Sequence, residues 1–228
     1  MAYSRGSSSN IIVGAAALFT HNAGPLGLVA SGANAGKITD AQAATDLPAL
    51  TASATSYKDA LTSDNAFTNI GYTSNGLELA FQPDFGEVQV DQVLDVAKLY
   101  KQGMQVSLAT AFAEATLENL LLALASPDSK LSGTKSSSAG QVLDMSAGDI
   151  GDVALERGIV AVGPGTGNPA TAAVTERVYT AYRALSIENV TVAAKRDEAS
   201  MFEVSFRLLP EDASGSYGKI VDRTFAPA

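Results

Sequence analysis

Polar and apolar side chains alternate along several stretches of this chain, and a period of two residues is the pattern of a half-buried β-strand. In FGEVQVDQ (Phe85–Gln92), Val88 and Val90 fall on one side of an extended strand, and acidic or amide side chains fall on the other. The pattern predicts that the valines face a core and that the acidic side faces water. Comparable strand patterns occur at 10–19, 99–110, 178–195, 200–210 and 217–225.

The stretch NIGYTSNGLELAF (Asn69–Phe81) is predicted to be a β-hairpin. Asn75 and Gly76 are residue types that accept the positive φ angles of a tight turn, and alternation continues on both sides of them. Another strand runs into glycine- and proline-rich coil at Gly163–Pro169. Since the strands follow one another in hairpin order rather than alternating with helices, the sequence predicts a mainly β fold.

One stretch, TLENLLLALA (Thr116–Ala125), has helical periodicity. Four leucines recur at i, i+3, i+4 and i+7 and form one apolar stripe. Thr116 is a suitable N-cap, and Pro127 ends the run. The sequence therefore predicts one main helix at about 116–125, with its stripe packed on the core. The leucines of the stripe are Leu117, Leu120, Leu121 and Leu124.

Two long segments without a clear period, at about 24–69 and 126–144, are predicted to be loops. The first is rich in Ala, Thr, Ser and Asp and is interrupted by Pro48, which favours a loop with one or two short helices. The second contains the polar low-complexity stretch Ser126–Gly140. Residues 1–10 are polar and are predicted to form an N-terminal arm. We expect a single domain over residues 1–228.

The composition narrows the possible functions. The 228 residues include no cysteine, no tryptophan and one histidine, which excludes disulfides, thiol nucleophiles and cysteine-based zinc sites. With 46% hydrophobic and 17% charged residues, the chain is expected to fold. The formal net charge of −9 disfavours nonspecific binding of nucleic acid, because lysine and arginine would be needed to release the phosphate counterions.

Nucleotide-binding and histidine-dependent chemistry find little support in the sequence. A phosphate-binding loop needs a lysine after Gly167, which is absent, and Asn168 replaces the third glycine of a dinucleotide-binding motif. His21 lies in a turn-like HNAGP context, so we predict a solvated loop histidine. We therefore expect no cofactor.

Carboxylate chemistry is also poorly supported. Glu87 and Asp91 would lie about 13–14 Å apart along a strand, which is too far for the carboxylate pair of a glycosidase. The stretch MSAGDIGD (Met145–Asp152) is too sparse in carboxylates for a calcium loop. We predict no catalytic, cofactor-binding or metal-binding residue, and no enzymatic activity.

Six stretches, taken in order along the chain, resemble the phage tail tube proteins, the major tail proteins of long non-contractile tails. The third and fourth look like that family's strand after its hairpin and its strand-then-helix core, including the run Ala-Glu-x-Thr-Leu-Glu-Asn. The resemblance covers most of the chain except 24–69 and 126–144. The stretches are Asn10–Phe19, Gly71–Leu79, Glu87–Gln92, Gly103–Ala125, Phe202–Pro210 and Tyr217–Arg223.

The resemblance implies a β-barrel or β-sandwich subunit with a helix packed on it. It implies rings of six subunits that stack into a hollow tube, through which double-stranded DNA passes without specific binding. It also implies tape-measure, terminator and baseplate proteins as partners, a place in the virion tail, assembly in the host cytoplasm, and no membrane. Segments 31–61 and 126–140 would then be loops and arms that reach neighbouring subunits.

In such a tube the acidic balance of the chain would keep DNA from adhering to the lumen, because carboxylates repel the phosphate backbone. Alternation selects the side chains expected to face the lumen. Arg207 shares the alternation of Ser205, and a cation at that position would count against the choice of its strand. The predicted lumen-facing residues are Glu87, Gln89, Asp91, Gln105 and Ser107, followed by Glu203 and Ser205.

Two alternatives to the tube subunit stay open. A tail terminator or hub protein could have the same fold. A secreted β-sandwich binding or adhesion module is suggested by Ile11–Phe19, which follows Arg5 and loosely resembles a secretory signal. However, the β-branched start of that stretch favours a strand, and an aromatic content of 7% argues against a sugar-binding face.

Overall fold

The strand patterns of the sequence correspond to an antiparallel sheet. In the computed structural model, which describes residues 12, 14–50, 55–89, 91, 95–146, 155–166, 174–192, 196 and 200–225, 47% of residues are in strands and 13% in helices. The mainly β prediction is therefore confirmed. The strands are β1 (Ala17–His21), β2 (Phe67–Gly71), β3 (Thr73–Val88), β4 (Lys98–Phe112), β5 (Leu131–Gly133), β6 (Gln141–Leu143), β7 (Arg157–Pro164), β8 (Val174–Ser186), β9 (Phe202–Leu209) and β10 (Gly218–Phe225). The helices are α1 (Asp40–Asp46), α2 (Tyr57–Ser63) and α3 (Leu117–Ala123).

Strand β8 connects the two parts of the main sheet, whose order is β2-β1-β7-β8-β9-β4-β3. One edge of β8 pairs with β7. The other edge is shared, since residues 174–181 pair with β10 and residues 183–186 pair with β9. The sheet therefore divides at β8 into a layer of β2, β1, β7, β8 and β10 and a layer of β9, β4 and β3.

Two apolar clusters hold these layers together. The first lies between the two layers and includes Leu18 and Ile159 from one and Leu108 and Phe206 from the other, with α3 packed beside them. The second lies on the outer side of β1, β7 and β8 and is covered by the segment that contains α1 and α2. Successive residues of β7 enter the two clusters in turn, which explains its nearly continuous apolar run.

The N-terminal strand is shorter than predicted and ends differently. β1 begins at Ala17, and residues 10, 11 and 13 of the predicted strand lie outside the described residues. The prediction of a solvated His21 is wrong, because His21 is the last residue of β1 and is only 7% exposed. Its Nδ1 lies 3.2 Å from the carbonyl oxygen of Gly24, and its ring packs 5.3 Å from that of Phe67.

The predicted hairpin at Asn69–Phe81 is also wrong. Asn75 and Gly76 have the expected positive φ angles of 63° and 71°, but they form a bulge inside β3 rather than a turn. The hydroxyl of Thr110 donates to the Gly76 carbonyl at 2.8 Å across this bulge. The strand before it, β2, pairs with β1 instead. Positive φ angles serve a bulge as well as a turn, so the residue types alone did not distinguish the two.

The predicted helix is confirmed as α3, with one change in the face that it buries. The Thr116 hydroxyl accepts from the Asn119 backbone N–H at 3.2 Å, as expected for an N-cap. Leu121 is buried, whereas Leu124 at the end of the stripe is 43% exposed. Asn119 is buried and its amide donates to the Ile70 carbonyl at 2.9 Å, which fixes the rotation of the helix.

Both predicted loop segments contain regular structure, and the two short helices of the first agree with its prediction. The first holds α1 and α2, each seven residues long like α3, so within the described chain the helix at 117–123 is not longer than the others. Tyr57 and Leu61 are fully buried against this chain's own sheet. The second contains a 3₁₀ turn at Asp128–Lys130 and the small β5–β6 hairpin.

A buried ion pair joins α2 to the sheet. Glu176 of β8 lies 3.2 Å from the guanidinium of Arg223 on β10. The same carboxylate accepts from the Ser56 hydroxyl at 3.0 Å and from the Tyr57 backbone N–H at 2.7 Å. Arg223 also lies 5.3 Å above the centre of the Tyr57 ring. The Glu176 carboxylate thus has several partners, as a buried charge requires, whereas the Nε of Arg223 is buried without a hydrogen-bond partner.

We expect the substitution Glu176→Ala to lower the free energy of unfolding by about 3–5 kcal/mol, because it leaves the Arg223 charge buried without its carboxylate. Asp222→Ala is the matched control, since the adjacent Arg177–Asp222 pair joins the same two strands on their exposed side. It should cost less than about 1 kcal/mol. Urea denaturation measures both, and equal losses would contradict this account of the buried pair.

Candidate functional site

Strands β3 and β4 continue together beyond the rest of the sheet. β4 pairs with β9 only from Val106 to Phe112, whereas its pairing with β3 extends to the Val88–Lys98 pair. Residues 81–88 and 98–105 therefore form a two-stranded ribbon, which we call the arm. The eight residues of β4 in the arm span about 26 Å. The arm is the part of the β3–β4 pair that extends beyond β9.

Large apolar side chains are exposed along the arm. Leu99 is 60% exposed and Phe85 is 55% exposed, and Phe81, Tyr100 and Val88 are also exposed. The prediction that Val88 faces the core is therefore wrong, while Val90 lies outside the described residues. Alternation correctly indicated a strand, but here the strand has passed the end of the layer that would cover it.

One line of apolar residues runs from the core onto the arm. Leu79 packs against the first apolar cluster, and alternation along β3 places Phe81, Pro83 and Phe85 on the same face. On β4 the register shifts between the Asp84 and Phe85 pairs, so that one additional residue is inserted there. The core-facing side of β3 thus continues into solvent.

The opposite face of the arm has a small packed cluster. The Tyr100 ring lies directly over Gly86, where an added Cβ would come within 2.6 Å of the ring. The Gln102 side-chain amide donates to the Tyr100 hydroxyl at 3.0 Å. Gly86 is thereby buried although both its neighbours are exposed. This contact fixes the position of the exposed Tyr100 side chain.

An apolar cleft opens at the base of the arm, where the two layers of the sheet part. Two adjoining cavities, of about 150 and 340 Å³, share four lining residues from β3, β8 and β10. These residues are Leu79, Phe81, Tyr179 and Ile220. The cleft therefore continues the exposed apolar surface of the arm into the gap between the layers.

The described surface has exposed apolar area rather than clustered metal-binding groups. Within them, no group of three histidine, cysteine or carboxylate side chains is placed to hold a metal ion. In the same part of the chain, no helix is both long and apolar enough to span a membrane. What the described surface offers is an exposed apolar ribbon with an apolar cleft at its base, and such surfaces serve binding or assembly.

Four of the predicted lumen residues lie together on one face. β4 pairs with β9 so that Ser107 is opposite Arg207 and Ala111 is opposite Glu203, with Ser205 between them. We call this side of β3, β4 and β9, away from the first cluster, the polar face. Gln105 and Ser107 are half-buried, Glu203 is exposed and Ser205 is only 8% exposed. Arg207, whose position was predicted to count against this strand, lies beside Ser107.

The other three predicted lumen residues do not share that face. Gln82 pairs with Gln105, and Glu87 is an odd number of residues further along β3. Alternation therefore places Glu87 and Gln89 toward the opposite side. Asp91 follows the end of β3 and is exposed. The seven residues thus divide into a group on the polar face and a group near the tip of the arm.

Sequence reasoning missed the exposed residues of the arm. The available signal was Pro83, which is tolerated in a strand at an edge or a bulge rather than in the middle of a sheet. A second signal was the presence of apolar residues at both parities, since Phe85 and Val88 lie on opposite faces of one strand. Both signals argue against a strand with one buried face and one exposed face.

Comparisons with known proteins do not decide the function. No protein-family model matches the sequence, and no curated protein is significantly similar to it. The resemblance of the six stretches to tail tube proteins therefore stays a hypothesis. Support for a function has to come from the arm, the cleft and the polar face.

Leu99 on the arm and Leu108 in the core provide a matched pair for testing how the arm is packed. Leu108→Ala should lower the free energy of unfolding by about 2–5 kcal/mol, because Leu108 is 2% exposed. Leu99→Ala should change it by less than about 0.5 kcal/mol. Denaturation of dilute protein measures both values. Comparable losses would mean that the arm packs on the body of its own subunit.

Proposed function

We propose that this chain is the structural subunit of a phage tail tube. In this proposal, rings of six subunits stack into a hollow tube for the passage of double-stranded DNA. The single observation that supports it most strongly is the arm, with its large exposed apolar side chains. The resemblance of the six stretches to tail tube proteins supplies the kind of assembly.

The arm supports assembly because of its energetics. An isolated two-stranded ribbon is marginally stable in water. At the same time, Phe85, Leu99 and Tyr100 keep about half of their surface in contact with solvent. Burial against another protein surface removes that apolar area from water at roughly 25 cal/mol per Å². A partner that covers the arm therefore stabilises both the arm and the complex.

The sheet also leaves edges at which subunits can pair. Among the described strands, β2, β3 and β10 each have one edge without a partner strand. Free edges favour pairing with another chain. A contact between two different edges of identical subunits repeats head to tail, which produces a closed ring or an open filament. Both geometries occur together in a tube made of stacked rings.

The polar face is the best candidate for the lining of the channel. Beside β9 it consists of small and polar side chains, with carboxylates at Glu78 and Glu203 and the cation Arg207. Along the arm the same side continues with Asp84 and Lys98. A surface of this kind has few lysine or arginine side chains that could bind DNA phosphates, so DNA slides along it. In this proposal DNA passes without specific binding and no cofactor is needed.

The family resemblance also gives the proposed partners and location. The partners would be the tape-measure, terminator and baseplate proteins, and the assembled chain would lie in the virion tail after assembly in the host cytoplasm. A terminator or hub subunit of the same fold would form a ring without extended tubes.

The apolar cleft between Leu79 and Ile220 favours, as a second candidate, a binding module that acts as a monomer.

We expect concentrated purified protein to form rings or tubes with a central channel in negative-stain electron microscopy. A variant in which residues 85–102 are replaced by Asn-Gly should remain folded, because the replaced residues lie outside the two apolar clusters, but it should stay monomeric. Rings without tubes would indicate a terminator or hub. A wild-type protein that stays monomeric at high concentration would contradict the proposal.

The lumen assignment can be tested with single cysteines, because the natural chain has none. In tubes of the Glu203→Cys variant, a small maleimide should label the cysteine readily, whereas a 5-kDa polymer maleimide should react at least about tenfold more slowly than with dissociated subunits. The same substitution in the arm-deleted variant is the unassembled control. Rapid labelling by both reagents would place Glu203 outside the tube, and protection from both would place it in a subunit contact.

A further inference from the structure

The two strands that form the arm and its base carry charges of opposite sign. β3 carries carboxylates at Glu78, Asp84 and Glu87 and has no lysine or arginine. β4 carries ammonium groups at Lys98 and Lys101 and has no aspartate or glutamate. The ribbon therefore has one acidic strand and one basic strand.

Both outer edges of the arm are without a partner strand in the described chain. β4 pairs with β9 only from Val106 onward, so residues 98–105 keep one free edge. β3 is the last strand of the sheet order, and its outer edge is free along its length. The Met104 carbonyl of β4 accepts from the Tyr217 hydroxyl at 2.7 Å, and Pro83 of β3 has no backbone N–H. The other outward backbone N–H and C=O groups of the two edges are available to a neighbouring strand.

Each face of the arm presents one acid and one base. Lys98 pairs with Val88, which shares a face with Asp84, and Lys101 pairs with Phe85, which shares the other face with Glu87. All four charged side chains are exposed, and in the described structure no ion pair joins them. The described contact of the Lys101 ammonium is the Met104 sulfur at 3.1 Å.

We propose that the arms of adjacent copies of this chain pair edge to edge, with the acidic β3 edge of one copy against the basic β4 edge of the next. This proposal rests on the proposed ring assembly and specifies its contact. Because β3 and β4 are antiparallel within each arm, arms repeated side by side around an axis bring β3 next to β4 of the neighbour, again antiparallel. The main-chain ladder of the arm then continues from copy to copy.

The sorted charges select this contact over its competitors. Pairing of two β3 edges would bring carboxylates together, and pairing of two β4 edges would bring lysines together, both of which are unfavourable. Lysine and proline on a free edge can also serve to block pairing, but blocking does not require opposite signs on the two edges. The contact joins unlike edges, so it is heterologous and can close a ring. It also moves Glu87 from the channel lining to the subunit contact.

The test uses two double variants and their mixture. Asp84→Lys with Glu87→Lys makes both edges of the arm basic, and Lys98→Glu with Lys101→Glu makes both edges acidic. Each variant alone should have a critical concentration for assembly raised at least about tenfold, because every contact then joins like charges. Mixed in equal amounts, the two variants should assemble near the wild-type concentration, since each basic edge meets an acidic one. Light scattering and electron microscopy measure the assembly.

Two controls separate charge pairing between copies from misfolding and from charge pairing within one arm. Far-ultraviolet circular dichroism should show both variants folded, as the four side chains lie outside the core. The fourfold variant, with both edges reversed, should assemble alone, because its edges are again opposite in sign. Recovery in the fourfold variant without recovery in the mixture would mean that the charges act within one arm, and would overturn the proposal.

Two further outcomes distinguish the contact from the function. If the wild-type protein forms rings and both double variants form them at the same concentration, the edge pairing is wrong while the tube proposal stands. If the wild-type protein itself does not assemble, the tube proposal fails and the edge pairing fails with it. If the mixture assembles and neither double variant assembles by itself, the result supports both the edge pairing and the tube proposal.

Discussion

The structure depends on how the second edge of β8 is divided. Residues 174–181 of that edge pair with β10, and residues 183–186 pair with β9. Because two separate strands leave the same edge, the layer of β9, β4 and β3 can lie over the layer of β1 and β7, and the first apolar cluster fills the space between them. The cleft forms where the layers part. The arm leaves the subunit beside it, since β3 and β4 are longer than the layer opposite.

The outer side of the central layer is closed by a different means. β7 and β8 bury side chains on both faces, so the segment with α1 and α2 has to cover the second one. The Glu176–Arg223 pair orients the N-terminus of α2 within this contact. The segment that looked like a loop from its sequence is therefore needed to complete the core. Its polar composition reflects the side that it turns toward water.

Local sequence signals succeeded where the structure they specify is local. The Thr116 cap and the end of α3 were predictable, because a helix start depends on residues three apart. The positive φ angles of Asn75 and Gly76 were also predictable, but their use was not. Whether such a pair turns the chain or forms a bulge depends on which strand comes to lie beside it. Here that strand is β4, more than 30 residues later in the chain.

The order of residues alone is enough to predict that this chain is mainly β, where most strands lie, and that it has no cysteine chemistry. Alternation showed that Glu87 and Val88 point to opposite sides of a strand. What lies against each side follows from the packing of distant segments in the folded chain. Side-chain parity is a local property, whereas burial requires a second surface from a distant part of the chain. Val88 and Phe85 are exposed because β3 extends past that surface, and this difference makes the arm the candidate for contact with another subunit.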